Sequence, residues 1–415
     1  MTTQVRRATA LALAAAVAFV VPAGAHAPRD ERPGAPRMDL EVLVTPAVTG
    51  QVTPGGLDAV VAVDGFGNRF ALARKEEVQT LVGVDQRART VVRTSAWQWY
   101  SPDDGLTWEN FETLPRGAET LLPQGVTRDI AAAGPLTWIA EGTPAGIVLT
   151  TITATYRGRF TPGTPALLAG AMGPGSRVSV AGAGPTVVVV AGAAAGGSQV
   201  HISKDGGASF GSPMVMAGTA CDATVDPRRP AVAAVACLDG ETVTLHTSRD
   251  GGKTFTARPL GSRDVRGGDT AEPSVDTAPD GTIYVLSGLR MWRLAARGPV
   301  RVQDLQTVKG AHRASVLSVS RLGRVGAAAY RLTEAGTWNI VVTIFSAGKA
   351  PVWSDFAFHD PATPRGAAAP PSGRLSVDFD ERARIQLMWT STFLQETTLQ
   401  RPLLRNVWAI RSTST

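Results

Sequence analysis

Three short segments with one shared pattern constrain the fold of this chain more than any other feature. They span Ser101–Trp108, Ser203–Phe210 and Ser248–Phe255, and each reads S-x-D-x-G-x-[ST]-[FW]. The Asp carboxylate and the hydroxyls can bond the nearby backbone and close a tight turn. The Gly allows a positive φ, and the final aromatic ring can fold back as an apolar plug. The pattern therefore predicts three equivalent turns, each between two strands. The residues that define them are Ser101, Asp103, Gly105, Trp108, Ser203, Asp205, Gly207, Phe210, Ser248, Asp250, Gly252 and Phe255.

A longer unit of two strands joined by a tight turn recurs along the chain. Its clearest copy runs from Glu272–Asp276 through the turn at 279–281 to Thr282–Val285. Repeats of roughly 40–50 residues are typical of propellers. Seven copies can be counted, and a count of six stays open if one copy is an insertion. The first strands of the other copies begin near positions 58, 128, 177, 221, 315 and 374.

The turn motif resembles the Asp-box, or BNR repeat, of sialidase-like β-propellers. The resemblance implies an all-β propeller with six or seven blades, of which we prefer seven, although sialidases proper have six. In such propellers the Asp-box is a structural turn, present with or without catalysis. The resemblance also implies that the inner strands begin at a ligand-binding mouth, on the face opposite the turns.

The last repeat lacks an outer strand, and the start of the chain offers a spare one. The final copy ends with Val407–Ile410, while Leu40–Val44 has no partner in the first copy. Pairing these two segments would close the ring and remove an exposed sheet edge. We therefore expect a single propeller domain over residues 38–415, closed by the N-terminal strand.

The first residues have the pattern of a secretory signal peptide. Arg6 and Arg7 precede an apolar run, and small residues near Ala25 and Ala27 offer cleavage sites. A membrane anchor is the alternative, but the run is short, rich in Ala and broken by Pro22. We expect a signal peptide over residues 1–27, a disordered linker over 28–37 and a secreted mature protein.

The chain has two cysteines, Cys221 and Cys237. The turn signal Asp226–Pro230 lies at the midpoint between them, so a hairpin would place the two side chains opposite each other. Opposed strand positions are close enough for a disulfide, and export supplies an oxidising compartment. The alternative is a pair of buried thiols. We expect a structural disulfide.

Candidate binding residues lie where the inner strands begin. These positions carry four arginines, Arg128, Arg177, Arg313 and Arg374, with the neighbouring acids Asp129, Asp222 and Glu272. Arginine is suited to bidentate recognition of a carboxylate, and the resemblance implies a clamp, because sialidases hold the substrate carboxylate with three arginines. The alternative is that these are solvated strand ends in which the acids pair with the arginines.

Catalysis of the sialidase type requires a Tyr nucleophile assisted by a Glu. Tyr330 and Glu334 are the candidates, since Tyr330 ends an inner hairpin near the predicted mouth; packing is the alternative role for Tyr330. Trp338 is the candidate for a sugar-stacking platform. The chain lacks the Arg-Ile-Pro motif that sialidases carry near their first strands, which favours binding over hydrolysis.

The remaining composition excludes several classes of function. The formal net charge is +6, but the basic residues are scattered and form no stripe, so nucleic-acid binding is not expected. No metal-site, dinucleotide or P-loop motif is present, and we expect no metal and no cofactor. The sequence thus predicts a monomeric secreted propeller without a membrane span. It would bind an acidic glycan, another acidic polymer or an extracellular protein; the alternative is an exo-α-sialidase type glycoside hydrolase.

Overall fold

The computed structural model consists of antiparallel β-strands, and the residues that it describes contain no helix. The described residues are 38, 42–43, 51–82, 88–110, 128–143, 145–170, 176–192, 197–264, 272–305, 310–336, 338–346, 349–356, 375–393 and 404–412. The predicted signal peptide and linker lie outside them. No helix in this part of the chain is long and apolar enough to cross a membrane.

The described strands form seven antiparallel sheets, which we number as blades in chain order. Blade 1 contains β2 (Gln51–Val63), β3 (Arg69–Val82), β4 (Ala88–Ser101) and β5 (Glu109–Asn110). Blade 2 contains β6 (Arg128–Ala133), β7 (Leu136–Thr143), β8 (Gly146–Tyr156), β9 (Arg159–Pro162) and β10 (Ala166–Ala169). Blade 3 contains β11 (Arg177–Ala183), β12 (Thr186–Gly192), β13 (Ser198–Ser203) and β14 (Met214–Met216). Blade 4 contains β15 (Ala220–Val225), β16 (Ala233–Asp239), β17 (Thr242–Ser248) and β18 (Thr256–Ser262). Blade 5 contains β19 (Ser274–Thr277), β20 (Ile283–Ser287), β21 (Arg290–Leu294) and β22 (Arg301–Asp304). Blade 6 contains β23 (His312–Val319), β24 (Arg324–Leu332), β25 (Trp338–Ser346) and β26 (Trp353–Phe356). Blade 7 contains β27 (Ser376–Phe379), β28 (Ile385–Phe393), β29 (Leu404–Arg411) and β1 (Val42–Leu43).

The innermost strands close into a ring, which confirms the β-propeller. Each contacts the inner strand of the next blade, in the order β2, β6, β11, β15, β19, β23, β27 and back to β2. The seven repeats predicted from the sequence correspond to these seven sheets. The ring forms because each sheet is apolar on both faces and must bury both against neighbours.

The ring is closed by the N-terminal strand, as predicted. Strand β1 pairs antiparallel with β29, with Val42 opposite Ala409 and Leu43 opposite Trp408, and Met38 forms an isolated bridge with Ser412. The two ends of the chain therefore complete one sheet. This arrangement covers the edge of β29, which would otherwise expose unpaired backbone groups.

An ionic network reinforces the junction between the last and first blades. The Arg69 side chain, only 1% exposed, donates to Asp104 Oδ1 at 2.9 Å and to Gln386 Oε1 at 2.9 Å. Arg384 of blade 7 also donates to Asp104, at 3.1 Å. A buried guanidinium needs such partners, because leaving it unpaired costs several kcal/mol.

Small and β-branched residues form the cores between adjacent blades. Strand β12 is buried along its whole length because its Val run packs on both faces, towards blade 2 and towards blade 4. The core between blades 3 and 4 also contains the predicted disulfide, since Cys221 and Cys237 are opposed in the β15–β16 hairpin and bonded to each other. This confirms the disulfide and rejects the pair of thiols.

The three predicted turns join the third and fourth strands of blades 1, 3 and 4. In the second, Ser203 Oγ donates to Asp205 Oδ1 at 2.7 Å and accepts the Gly207 N–H at 2.8 Å. The other two turns repeat these bonds. Each aromatic plug, including Phe210, packs against the core shared with the preceding blade. Gly207 has φ +99°, a conformation that favours glycine.

Candidate functional site: the central channel

A cavity of about 1320 Å³ occupies the centre of the ring. Its walls come from the inner strands, and it extends from the starts of those strands to the turns that follow them. We call its two ends the mouth end and the turn end. Two of the motif turns lie at the turn end, because Gly206 N–H donates to Pro185 O and Gly251 N–H donates to Ala231 O. Pro185 and Ala231 lie in the turns between the first and second strands of blades 3 and 4. The inner strands therefore begin on the face opposite the motif turns, as the resemblance implied.

Two arginines line the mouth end. Arg177 is 7% exposed and pairs with Glu272, which reaches it from blade 5 across the start of blade 4. The Nε atom of Arg177 has no hydrogen-bond partner among the described residues. Arg313 is exposed and lies over the ring of Trp338, with its Cζ atom 5.5 Å from the ring centroid. One guanidinium is thus fixed and partly neutralised, whereas the other faces solvent.

The inner strand of blade 6 is irregular beside Arg313. The pairing between β23 and β24 shifts between Arg313 and Val316, and Ala314 has φ +49°. The next residue, Ser315, is 6% exposed and lines the cavity, yet its hydroxyl has no partner in the part of the chain that the structure describes. Unsatisfied buried hydroxyls are uncommon and costly, and bulges often re-aim side chains at functional sites.

Below the mouth, four aspartates form what we call the carboxylate belt: Asp129, Asp222, Asp276 and Asp378. All four line the cavity, and each accepts a backbone N–H from the inner strand of the next blade. The donors and distances are Val180 to Asp129, 2.9 Å; Val275 to Asp222, 2.9 Å; Val319 to Asp276, 2.6 Å; and Val63 to Asp378, 2.8 Å. Inner strands have one unpaired edge, so the belt satisfies donors that the sheets leave free.

Burial raises the pKa of Asp129, Asp276 and Asp378 in the belt. It brings the pKa of Asp129 to about 7, with a further contribution from the neighbouring charge of Asp222. Desolvation likewise raises the pKa of Asp378 to about 7 and that of Asp276 to about 6, and the backbone hydrogen bonds only partly oppose it. The belt therefore changes its charge within the physiological pH range.

Two further arginines line the turn end of the cavity. Arg228 follows the inner strand of blade 4 and Arg321 follows that of blade 6, and both are exposed. Neither has an ion-pair partner among the described residues. The channel is therefore positive at both ends and carries its carboxylates between them.

The structure corrects several of the site predictions. Arg128 does not line the cavity; it is 3% exposed and pairs with Glu141, its cross-strand neighbour, at 3.4 Å. Trp338 is not a stacking platform, because it is 5% exposed and belongs to the core between blades 6 and 7. Arg374 lies outside the described residues.

The predicted catalytic pair is not assembled in the cavity. Tyr330 does line the cavity and lies opposite Arg313 in the β23–β24 hairpin, but its side chain is only 1% exposed. Glu334 is exposed in the turn between β24 and β25 and is not part of the cavity wall. A Glu that assists a Tyr nucleophile must be within hydrogen-bond reach of it, and this geometry does not supply such a contact.

Sequence reasoning missed the belt, although a signal for it exists. Ser274-Val275-Asp276 and Ser376-Val377-Asp378 are the same tripeptide at the same place in blades 5 and 7. In both, the Ser and the Asp accept N–H groups of the next inner strand. The sequence predicts Asp129 and Asp222 as binding residues beside the arginines, and the structure places them deeper, as belt residues.

The geometry of the belt does not correspond to a metal site. Among the described residues, no group of three or more His, Cys, Asp or Glu side chains is placed to hold a metal ion. The belt oxygens are instead occupied by N–H and hydroxyl donors, as when Ser179 Oγ donates to Asp222 Oδ1 at 2.8 Å.

The fold and the cavity together define a β-propeller with a charged central channel. No family model matches the chain, and no curated protein matches it. Among solved structures, a protein of unknown function from Dyadobacter fermentans aligns at 12% identity and a TM-score of 0.48, covering 92% of this chain and 100% of that one. Trypanosoma rangeli sialidase in complex with sialic acid aligns at 13% identity and a TM-score of 0.43, covering 76% of this chain and 59% of the sialidase. AofleA from Arthrobotrys oligospora aligns at 11% identity and a TM-score of 0.43, covering 76% and 92%. At these values the fold assignment depends on the chain's own strand pairing, and no ligand is inferred from the similarities.

Proposed function

We propose that this protein is a secreted, sialidase-like Asp-box propeller that binds an anionic ligand, such as an acidic glycan, at the mouth end of its channel. The observation that carries the proposal is the grouping of Arg177, Arg313 and the unpartnered Ser315 hydroxyl in one cavity wall. Secretion is supported by the disulfide, because such bonds persist in oxidising compartments.

The two arginines contribute differently to this site. Arg313 is exposed and has a cationic head that no described carboxylate neutralises, so it supplies the first contact for a ligand carboxylate. Arg177 is held by Glu272 and keeps its Nε–H unbonded. Ser315 follows Arg313 by two residues on the same strand, lines the same cavity and offers an O–H that can donate to the same ligand. Charge-assisted bonds of this kind are stronger than neutral ones.

Hydrolysis is the second candidate function, and only the position of Tyr330 in the cavity wall favours it. Because Glu334 lies outside the cavity, the binding proposal accounts for more of the site. A fluorogenic sialoside distinguishes the two functions. Release of the fluorophore at any pH from about 4 to 8, the range over which carboxyl and imidazole groups titrate, together with its loss in Tyr330→Phe, would establish an enzyme.

The binding proposal is tested with oligogalacturonate and a neutral galactan oligomer of the same length, by isothermal titration calorimetry. We expect the acidic oligomer alone to bind. Arg313→Ala should weaken its binding about tenfold to a hundredfold, since a charged hydrogen bond contributes about 1.5–3 kcal/mol. Ser315→Ala should weaken it less.

The matched control is Arg258→Ala, which removes an exposed arginine from β18 on the outside of blade 4. It should leave the affinity unchanged. Equal losses in Arg258→Ala and Arg313→Ala would mean that the ligand follows overall charge and not the mouth, and equal binding of both oligomers would reject anion recognition.

A further inference from the structure

The belt lies in the same cavity as the mouth arginines, and its charge opposes theirs. Within the cavity wall, the charged groups above the belt are Arg177, Glu272 and Arg313, and those below it are Arg228 and Arg321. With all carboxylates ionised, the four belt charges and Glu272 outnumber the four arginines. With Asp129, Asp276 and Asp378 protonated, the four arginines outnumber the two remaining carboxylates. The sign of the net charge along the channel therefore depends on the protonation of one set of residues.

The position of the belt in the fold makes its carboxylates interact. Its members come from blades 2, 4, 5 and 7 and converge on one channel, so the charge of one carboxylate can disfavour ionisation of a neighbour. Asp222 has this effect on Asp129 and on Asp276, and Asp276 has it on Asp378. Such coupled groups release protons over a broad pH range and not at one value.

Few other groups in the cavity compete with the belt for control by pH. The buried imidazoles of His201, His246 and His312 do not line the cavity. Donors on the neighbouring strands are backbone N–H groups and the hydroxyls of Ser179, Thr224 and Ser318, which remain neutral. A side-chain amide in place of a belt carboxyl would still accept the backbone N–H, so the charge can be removed without removing the hydrogen bond.

We propose that protonation of the carboxylate belt regulates the mouth, so that the channel accepts an anionic ligand at mildly acidic pH and rejects it at mildly alkaline pH. This inference rests on the proposed function, since it concerns the affinity of the same site. Its physical basis is the long-range repulsion between belt carboxylates and a ligand carboxylate inside a channel where water screens charges less than it does at an open surface.

The test measures the affinity for oligogalacturonate between pH 5 and pH 8, where the ligand itself stays ionised. The wild-type protein should bind about tenfold more tightly at pH 5 than at pH 8. In the double variant Asp129→Asn/Asp378→Asn, the affinity should depend on pH much less than in the wild type, because two of the three belt carboxyls with raised pKa values are gone, and at pH 5 it should equal or exceed that of the wild type. Single Asp276→Asn should show an intermediate slope, which provides a second readout if the double variant is poorly folded.

Glu381→Gln is the matched control, because Glu381 is exposed on the turn of blade 7 and does not line the cavity. It should keep the wild-type slope. Binding that does not change with pH, or a double variant that retains the slope, overturns the inference while the proposed function stands. Absence of binding at every pH overturns the proposed function, and this inference with it.

Discussion

Aspartates occupy two contrasting regions of this propeller, the motif turns and the carboxylate belt. In the turns, Asp205 is exposed and hydrogen bonds from Ser209 and Ser203 lower its pKa to about 2. In the belt, desolvation raises the pKa of Asp129 to about 7 although a backbone N–H donates to it. The pKa of an aspartate is therefore shifted in opposite directions in the two regions. The direction depends on whether hydrogen-bond donors or burial has the larger effect.

The contrast shows that the two regions stabilise the fold under opposite conditions. A turn carboxyl binds fewer protons in the folded chain than in the unfolded chain. Its contribution to the stability of the fold is therefore present above its usual pKa and is lost in acid. The belt carboxyls of Asp129 and Asp378 bind more protons in the folded chain, so their contribution to stability is present below the usual pKa and is lost as the pH rises towards 7. The following three changes test this difference.

The largest expected effect comes from Ser203→Ala in the second motif turn. Ser203 is buried and its Oγ both donates to Asp205 and accepts the Gly207 N–H. Loss of the Ser203 hydroxyl leaves the buried Gly207 N–H without its acceptor. We therefore expect the free energy of unfolding in urea to fall by about 1–3 kcal/mol. Ser212→Ala, at an exposed serine in the same connection, should change it little. An equal effect of both substitutions would contradict the structural role of the turn.

A smaller, pH-dependent effect is expected from Asp378→Asn in the belt. The asparagine oxygen can still accept the Val63 N–H, while the cost of burying a charge disappears. At pH 8 the variant should therefore be more stable than the wild type by about 1–2 kcal/mol, less than the full shift implies because channel water screens the carboxylate. At pH 4 the advantage should vanish. Urea unfolding at pH 4 and pH 8 measures this difference in stability. A variant that is less stable than the wild type at pH 8 would show that the belt charge itself stabilises the ring.

The smallest effect is expected from Asp103→Asn in the first motif turn. Burial tends to raise the pKa of this carboxyl, but hydrogen bonds from Thr107 and Ser101 outweigh it and lower the pKa. The amide can replace only part of this bonding, so we expect a loss of about 0.5–1 kcal/mol at pH 7. The loss should diminish as the pH falls below 4, the reverse of the belt behaviour. A loss of the same size at pH 3 and pH 7 would remove the contrast between the regions.

Much of the fold could be predicted from the sequence because its determinants are local. The motif turns require only residues within eight positions of one another, and the two-strand repeat with its β-branched residues is similarly local. The disulfide could be predicted because one hairpin contains both cysteines. Closure by the N-terminal strand followed from counting strands, since the last repeat lacked one.

The site was predicted less well, because a position at the start of an inner strand does not determine where its side chain points. Arg128 and Arg177 have the same place in their repeats, yet Arg128 turns to Glu141 in its own blade and Arg177 crosses to Glu272 two blades away. Trp338 was expected to face a ligand as a stacking platform but packs in the core, since apolar burial outweighs exposure for a ring of this size.

The sequence by itself determined the strands, the turns, the disulfide and the closed ring of blades, because each depends on short-range pattern and on the need to pair every sheet edge. Only the tertiary structure decided which charges share the channel. The belt joins Asp129 and Asp378, which lie far apart in the chain, and it exists because ring closure brings the free edges of all inner strands around one axis. Its raised pKa values depend on burial among other carboxylates, a property that no local pattern specifies.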